Sequence, residues 1–491
     1  MMFLILFLSL RLTYDCSVAA HNILVFLPNP IRSHYVQVEP IFLSLAHRGH
    51  NVTVVSPFPP KEEISNLRHI SLKADRAEEL IPPPNWMEWT LTNRLFNLNF
   101  WKIRADLNIP QVLESSVYRD LTRNDNKFDL IFTELFFGFE PLAVLGHIFQ
   151  APVVTYASYG YNPDILRYIG AANGVAYLPH FELDYAGPMS LLQRLENALI
   201  QFSVMLYNEY WYYRGMTLCL LSIFQGLFRA LRICYGIRRC FSSLPTPHEL
   251  NDIMDKAKKG VIYFSFGTLL KASNIRKEIA QTFLTVFGQL DQTILWKADL
   301  KYTDWDIPKN VYMRDRFDQI SILAHPNCVL FLTHGGVSSM MEAIKNAIPV
   351  IVVPFFADQN INAANAQYLG YGLHLSYRNL TQQSLRWAIT AVLRDSRFKA
   401  SVERASEVFT DKPMSSLDSS VYWIEYVIRH SGAHHLKPPT VHMPWYQLFF
   451  LDVIVVYFVA FCLILYIFKQ VISLLFLRLL FVTKSSKAKV N

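Results

Sequence analysis

A histidine followed by two glycines, His334-Gly335-Gly336, joins an apolar run to a stretch with helical spacing. Glycine lets an anion approach the backbone closely, and a helix N-terminus presents unpaired N–H groups with a partial positive charge. The histidine can add one more hydrogen-bond donor. The pattern predicts a phosphate-binding site, although a Gly-Gly helix start taken alone is more often a packing feature.

Two acidic residues and an amide follow this motif within the next 25 residues of the chain. Glu342 falls within the predicted helix, and Asp358 and Gln359 come after the next apolar run. A carboxylate is a strong acceptor for the hydroxyl groups of ribose or hexose. Together with the predicted phosphate site, these residues favour a ligand that carries both phosphate and sugar.

A second group with reactive side chains lies near the N-terminus, where Ser33 and His34 follow the first apolar run. Open α/β sheets bind ligands at the carboxyl ends of their strands, which is where this loop falls. The loop has no GxGxxG pattern, so a nicotinamide dinucleotide enzyme is disfavoured.

These residues must be positioned by two series of alternating strands and helices. Residues 23–27, 35–47 and 51–56 have the spacing of a β-α-β unit. The second series has apolar strands predicted at 261–266, 293–297, 311–313, 329–333 and 350–353. A chain of 491 residues is long enough for two such domains of about 200 residues each.

Composition narrows the class of protein. Hydrophobic residues make up 52% of the chain and charged residues 17%, which indicates membrane-inserted segments. The formal charge is +7 and the basic residues are scattered along the chain, so we expect no nucleic-acid partner. The cysteines show no metal-ligand or CxxC spacing, which leaves either a disulfide or free thiols among Cys219, Cys234, Cys240 and Cys328.

The two ends of the chain carry topology signals. Residues 1–20 are typical of a secretory signal peptide, and residues 445–468 are long and apolar enough for a transmembrane helix. Lysine and arginine follow the predicted span and are missing from the stretch before it, so we expect a lumenal body and a cytosolic tail. Residues 471–482 would extend the helix or lie along the interface. Lys487 and Lys489 resemble a dilysine retrieval signal of the endoplasmic reticulum, and Asn379 is a candidate glycan site.

The run FLTHGGVSSMMEAIKNAIPVIVVPFFADQ resembles the signature of the UDP-glucuronosyltransferase and UDP-glucosyltransferase family, in its membrane-anchored animal form. PNPIRSHYVQVEPIFLSLAHRGHNVTVVSPFPP, GVIYFSFGT and WIEYVIRHSGAHHL extend the resemblance over most of the chain. It implies an α/β GT-B fold, in which two Rossmann-like domains face each other, and one C-terminal transmembrane helix. The implied activity is inverting transfer of glucose or glucuronate from a UDP-sugar to a hydroxyl of a small lipophilic acceptor, as in detoxification.

The resemblance also implies roles for individual residues. His34 takes the place of the general base, and Glu134 takes the place of the family's usual aspartate that orients it. Thr268, His334 and Gly336 correspond to diphosphate ligands, Glu342 to a ribose ligand, and Asp358 and Gln359 to ligands of the transferred sugar. The full donor set is Ser265, Gly267, Thr268, Arg316, Phe317, Gln319, His334, Gly336, Ser338, Glu342, Asp358 and Gln359. No metal and no cofactor are implied, since UDP-sugar is a co-substrate.

Two departures from the family pattern stand out. Arg316 replaces the tryptophan that usually stacks on uracil, and residues 218–242 are apolar and basic where the family has a strand and a linker. We expect a helix and no strand in this stretch, which would leave an open sheet edge. The expected division is signal 1–20, acceptor domain 21–217, atypical stretch 218–242, donor domain 243–444, transmembrane helix 445–468 and cytosolic tail 469–491.

Three hypotheses remain open from the sequence. The first is an active transferase of the endoplasmic reticulum membrane, single-pass type I, that takes UDP-glucose or UDP-glucuronate and a small lipophilic acceptor bound near residues 95–101 and 136–139. The second is a family-like protein that binds UDP-sugar or hydrophobic ligands without turnover, and the third is an unrelated membrane receptor or carrier. A homo-oligomer is compatible with each.

Overall fold

The computed structural model describes residues 19–72, 109–123, 126–135, 138–158, 174–181, 183–208, 210, 233–235, 248–267, 275–298, 305–436, 440, 443–448 and 450–487. Two units can be distinguished, a body that ends at Leu436 and a C-terminal unit from Lys437 onward. Thr268 and residues 95–101, which the sequence assigns to the donor and acceptor sites, lie outside the described residues, as do residues 136–137.

The first half of the body is built on a parallel sheet of six strands. The strands are β1 (Asn22–Phe26), β2 (Asn51–Ser56), β3 (Leu67–Ser71), β4 (Leu130–Thr133), β5 (Val153–Thr155) and β6 (Ile233–Tyr235), in the order β3-β2-β1-β4-β5-β6. β1 and β4 are almost continuous apolar runs because helices cover both faces of the central strands. Their helices are α1 (Arg32–His47), α2 (Ser116–Arg123), α3 (Val144–Ile148), with a 3₁₀ turn at Glu140–Ala143 before it, and α4 (Leu191–Tyr207).

The second half repeats this arrangement. The strands are β7 (Val261–Ser265), β8 (Thr293–Lys297), β9 (Val311–Arg314), β10 (Cys328–Thr333), β11 (Val350–Val352) and β12 (Gly372–His374), in the order β12-β11-β10-β7-β8-β9. The helices are α5 (His248–Lys256), α6 (Lys277–Phe287), α7 (Gln319–Ala324), α8 (Val337–Lys345), α9 (Gln359–Tyr368), α10 (Gln382–Arg394), α11 (Ser396–Thr410) and α12 (Ser416–Arg429), with 3₁₀ turns at Tyr377–Asn379 and His434–Leu436. Both sheets therefore have the order of a Rossmann fold, as the resemblance implies.

The last helix of the body, α12, crosses to the first sheet. Its Val421 and Ile424 belong to the same buried cluster as Phe42 of α1. Arg48, just after α1, donates to the Asp418 carboxylate at 3.2 Å and to that of Glu425 at 3.5 Å. The sequence-based division assigns this helix to the donor domain, whereas its packing joins that part of the chain to the first domain.

The expectation that residues 218–242 contain no strand is wrong. β6 pairs with β5 in parallel register, with Cys234 opposite Val154. Ile233 and Tyr235 are residue types that favour an extended backbone, so a short strand forms despite the apolar, basic surroundings. β5 is therefore not left as the open edge of the sheet.

The C-terminal unit contains α13 (Trp445–Leu448) and α14 (Leu451–Lys487). Phe450 has a φ of 55°, which breaks the helix between them, so the long helix begins six residues later than the predicted 445. It also continues past 468, so residues 471–482 extend it. Residues 451–475 are the one segment in the described chain long and apolar enough to cross a membrane, with a mean hydropathy of 2.7.

Candidate active site

The residues singled out by the sequence cluster where the strand order of each sheet reverses. In the first sheet this point lies between β1 and β4, and in the second between β7 and β10. His34 lies in the first turn of α1 after β1, and Glu134 directly follows β4. Gly267 follows β7, and His334 directly follows β10. Ligands of open α/β sheets bind at this position.

His34 and Glu134 form a close pair although they are far apart in sequence. The Nδ1 atom of His34 lies 2.8 Å from Oε1 of Glu134, and the side chains are 12% and 1% exposed. An ionised carboxylate can only accept a hydrogen bond, so a proton on Nδ1 satisfies this contact and leaves Nε2 as the basic nitrogen. The pair can therefore remove a proton from a hydroxyl group.

Two further residues hold the Glu134 carboxylate in place. The amide of Asn29 donates to Oε2 at 2.9 Å, and the Asn29 carbonyl oxygen accepts the backbone N–H of Ile31 at 3.1 Å. The buried hydroxyl of Tyr156 also bonds to Glu134, and burial together with that charge raises the pKa of Tyr156 well above its usual value. Sequence reasoning missed both residues, because nothing local marks them as partners of a residue more than 20 positions away.

The ring of His334 is packed between two glycines. An added Cβ would lie 2.8 Å from the ring at Gly267 and 2.7 Å from it at Gly336. Gly267 also has a φ of 83°, which a side chain would strain. Gly335, with a φ of 89°, makes the turn from β10 into α8. The glycines therefore shape the loop around the imidazole.

His334 is a neutral imidazole at pH 7. Burial and then the nearby charge of Lys297 lower its pKa to about 4. A neutral ring has one N–H donor and adds no positive charge, and its hydrogen bond to the backbone of Ser265 acts in the opposite direction, toward a higher pKa. The positive field at this point must then come from the N-terminus of α8 and from neighbouring cations.

Lys297 is such a cation, and the sequence reasoning used it only as the end of a strand. Its ammonium group donates to the carbonyl of Gly267 at 3.1 Å. Burial, and next the charge of Arg316, lower the pKa of Lys297. A lysine at the carboxyl end of the apolar strand TILWK was the available signal.

Glu342 is held by Gln319, another member of the predicted donor set. The amide of Gln319 donates to Oε2 of Glu342 at 2.6 Å and to the hydroxyl of Ser339 at 3.1 Å. Phe317 packs edge-on against buried Tyr263, whereas Arg316 is exposed. This edge of the site therefore offers a fixed carboxylate and a solvent-facing guanidinium, with the Phe317 ring turned toward the core.

Asp358 directly precedes α9, and its carboxylate reaches the N-terminus of α8. Its carboxylate accepts from the amide of Asn362 at 2.7 Å and from the backbone N–H of Val337. Burial raises the pKa of Asp358 to about 6, while the charge of His34 acts in the opposite direction. The first and second sheets therefore bring His34 and Asp358 within electrostatic reach of each other.

Gln359 uses one end of its amide to shape the loop. Its carbonyl oxygen accepts the backbone N–H groups of Phe355 at 2.8 Å and Phe356 at 3.3 Å. Only its NH₂ group is then suited to a ligand. Ser265 is the last residue of β7 and is buried, and Ser338 lies in the first turn of α8 and is half-buried. In the part of the chain that the structure describes, no three His, Cys, Asp or Glu side chains are grouped to hold a metal ion.

The family described as "UDP-glucoronosyl and UDP-glucosyl transferase" matches residues 232–488. UDP-glycosyltransferase UGT4 of Dactylopius coccus is 32% identical over 92% of this chain and 95% of its own. UDP-glucuronosyltransferase 2B7 of Homo sapiens is 25% identical over 93% of each chain. Among solved structures, UDP-glucose: anthocyanidin 3-O-glucosyltransferase in complex with UDP superposes with a TM-score of 0.54 and 16% identity, over 83% of this chain and 99% of the other. This likeness shows the GT-B fold.

Proposed function

The chain belongs to the UDP-glucuronosyl and UDP-glucosyl transferase family and is a UDP-glycosyltransferase, and from this premise we propose its reaction. It moves a hexose, glucose or glucuronate, from UDP to a hydroxyl of a small lipophilic acceptor, with inversion at the anomeric carbon. His34 is the general base. The observation that carries the proposal is the His34–Glu134 pair, 2.8 Å apart, within electrostatic reach of Asp358.

The proposed step is a single displacement. The acceptor hydroxyl gives its proton to Nε2 of His34 while its oxygen bonds to the anomeric carbon. The bond from that carbon to UDP breaks, and UDP leaves with the electron pair. Glu134 stabilises the imidazolium that forms, and Asn29 and Tyr156 keep the carboxylate facing the ring. Attack opposite to the leaving group inverts the configuration.

The second sheet supplies what the leaving UDP needs. We assign the diphosphate to the backbone at Gly336 and the N-terminus of α8, beside the packed ring of His334. Lys297 provides a positive charge beside them. Groups that are already oriented toward developing charge stabilise it without reorganisation. The proposal therefore uses neither a metal nor a cofactor.

The ligand roles in this proposal follow the chemistry of each side chain. Glu342, positioned by Gln319, accepts from the ribose hydroxyls. Asp358 and the NH₂ group of Gln359 bind the transferred sugar, and Arg316 lies against the uracil. Thr268 stays assigned to the diphosphate by resemblance.

We also propose that α14 anchors the chain in the endoplasmic reticulum membrane as a single-pass type I protein with a lumenal body. Its length and apolarity support this, and Lys487 at its end supports retrieval. Detoxification of lipophilic compounds would follow from the acceptor class. A binding protein without turnover is less well supported, because the base and its carboxylate are assembled.

The experiment is a donor and product analysis of the purified full chain in detergent. UDP-glucose and UDP-glucuronate are each supplied with a panel of phenols, and proton NMR reads the anomeric coupling of the product. We expect a β-linked product from an α-linked donor with at least one of the two. An α-linked product would exclude the single displacement, and UDP binding without any product would favour the binding protein.

A further inference from the structure

Helix α10, Gln382–Arg394, has an inner face in the core and an outer face in solvent. The inner face packs into the core of the second half through four apolar side chains, Leu385, Ala388, Ile389 and Val392. The outer face carries Trp387, which is 59% exposed. Burial of the inner face fixes the rotation of the helix, so the indole stays on the outside.

A depression of about 810 Å³ lies on this outer face. Trp387, Gln383 and Arg386 line it, and Thr390 and Ala391, three and four residues beyond the tryptophan, are small enough to leave space beside the indole. The volume is within the range of sites that hold a small ligand. An aromatic face packs against the C–H groups of a sugar ring, and amide and guanidinium groups donate to its oxygens.

The sequence motif Asn379-Leu380-Thr381 ends where α10 begins. Asn379 is exposed, and Gln382, three residues further on, already lines the depression. Three residues of chain reach no further than about 11 Å. Leu380 is buried, and the Thr381 hydroxyl caps α10 by accepting the backbone N–H of Ser384 at 3.1 Å. Asn379 therefore has a fixed position next to the depression.

An exposed Asn-x-Thr motif in a lumenal domain is an acceptor for N-linked glycan. Resting on the lumenal body proposed above, we infer that Asn379 carries a glycan whose first two N-acetylglucosamine units bind in this depression, against Trp387. The bond forms between Nδ2 of Asn379 and the anomeric carbon of the first sugar of a lipid-linked oligosaccharide. The bond from that carbon to the lipid diphosphate breaks, the diphosphate leaves with the electron pair, and the amide loses one proton.

Covalent attachment lets a weak sugar contact become a stable one. A ligand linked to a fixed residue has an effective concentration in the millimolar range at a neighbouring site. The carboxylate of Asp395, at the far end of the depression, is engaged by Arg397 at 2.7 Å. The donors of Gln383 and Arg386 then face the sugar oxygens beside the indole.

The first test measures whether the glycan covers Trp387. The full chain is made in a secretory host and compared with Asn379→Gln, which removes the acceptor and leaves the cap of α10 in place. Hydroxyl-radical footprinting, read by peptide mass spectrometry, gives the oxidation rate of each tryptophan. We expect Trp387 to be oxidised at least about fivefold faster in Asn379→Gln. Trp423 of α12, 42% exposed, is the internal reference and should react equally in both chains.

The second test is reciprocal and leaves the acceptor motif unchanged. A peptide N-glycosidase, which cuts at Asn379, should release the glycan of folded Trp387→Ala about tenfold faster than that of the wild type, because the stacking contact is lost. Trp423→Ala is the matched control and should release its glycan like the wild type. After denaturation all three chains should react at the same rate.

Three results would overturn the inference. One is a glycan on Asn379 with equal release from wild type and Trp387→Ala. Another is equal protection of Trp387 in wild type and Asn379→Gln, which for a dimeric chain would identify a second copy as the occupant. The third is an unmodified Asn379 in a chain whose body resists protease in sealed microsomes.

Protease access to the body in sealed microsomes would overturn the lumenal topology, and the inference with it. Transfer from a UDP-sugar by Asn379→Gln tests the catalytic proposal separately, so failure of the activity and failure of the glycan site are distinguishable.

Discussion

The two sheets of the body have the same strand order, yet different kinds of residue lie at the points where that order reverses. The first holds long side chains from separate strands, with His34 and Glu134 meeting 100 residues apart in sequence. The second holds a turn, two glycines and a helix N-terminus within one short run, Thr333 to Val337. One fold therefore holds a histidine–carboxylate pair in one copy and a glycine turn at a helix N-terminus in the other.

Among changes to the second sheet, the largest expected effect comes from filling the space beside His334. Gly336→Ala places a Cβ 2.7 Å from the ring and so displaces the imidazole from the mouth of α8. We expect transfer to fall on the order of a hundredfold, as when a preorganised donor is lost, with UDP affinity falling as well. Titration calorimetry with UDP and a transfer assay measure the two.

Gly336 has a φ of −59° as the N-cap of α8, so an alanine is not strained there and the fold should persist. An unchanged thermal midpoint is the control for this variant. Unchanged UDP affinity would mean that the packing of the His334 ring against glycine does not shape the donor site.

Removing the charge of Lys297 should have a smaller effect. Lys297→Met keeps the aliphatic chain and loses the ammonium group beside His334 and Gly267. We expect kcat to fall roughly tenfold to a hundredfold, with less effect on the acceptor KM, because the charge develops on the leaving group.

Lys399→Met is the matched control, since its ammonium group also donates to a backbone carbonyl, that of Ala347 at 2.8 Å, but at the surface. Equal activity of the two variants would remove Lys297 from the donor site. A Lys297→Met variant whose thermal midpoint falls while its kcat stays unchanged would do the same.

The smallest effect is a pH dependence of donor binding. Burial raises the pKa of Asp358 to about 6, so its carboxylate is ionised at pH 7.5 and becomes protonated as the pH falls through 6. Because the ionised form is the better acceptor for sugar hydroxyls, UDP-sugar affinity should fall severalfold between about pH 7.5 and 5.

Asp358→Asn should bind the donor more weakly at high pH and show little change over the same range. Equilibrium titration is used in place of turnover, because our proposal gives His34 a role in turnover but not in donor binding. An Asp358→Asn variant that keeps the wild-type pH dependence would assign it to another group.

The sequence was more informative for the second sheet than for the first, for a physical reason. The candidate donor residues His334, Gly336, Glu342 and Asp358 lie close together in sequence. They could therefore be proposed from one short run and the helix that follows it. The His34–Glu134 pair depends on two neighbouring strands, and only family resemblance related the two residues in advance. Asn29, Tyr156 and Lys297 act through contacts across strands and were not found.

Errors in the fold prediction have similar causes. β6 was missed because its three residues stand among arginines and apolar residues with helical spacing, and pairing with β5 decides their conformation. The start of α14 was placed six residues early, since the backbone at Phe450 rather than hydropathy ends the preceding turn. The packing of α12 on the first sheet could not be read from its own sequence either.

The central claim is that the first sheet carries the base and the second sheet binds UDP. It is tested most directly by His34→Ala, assayed for both transfer and UDP affinity. His47→Ala is the control, because His47 is on the same helix but is exposed and pairs with Glu62 at 3.1 Å. We predict that His34→Ala lowers kcat by at least about a hundredfold and leaves the Kd for UDP within a few fold, with His47→Ala unchanged in both. Near-normal transfer by His34→Ala, or a comparable loss of UDP affinity, would contradict the account.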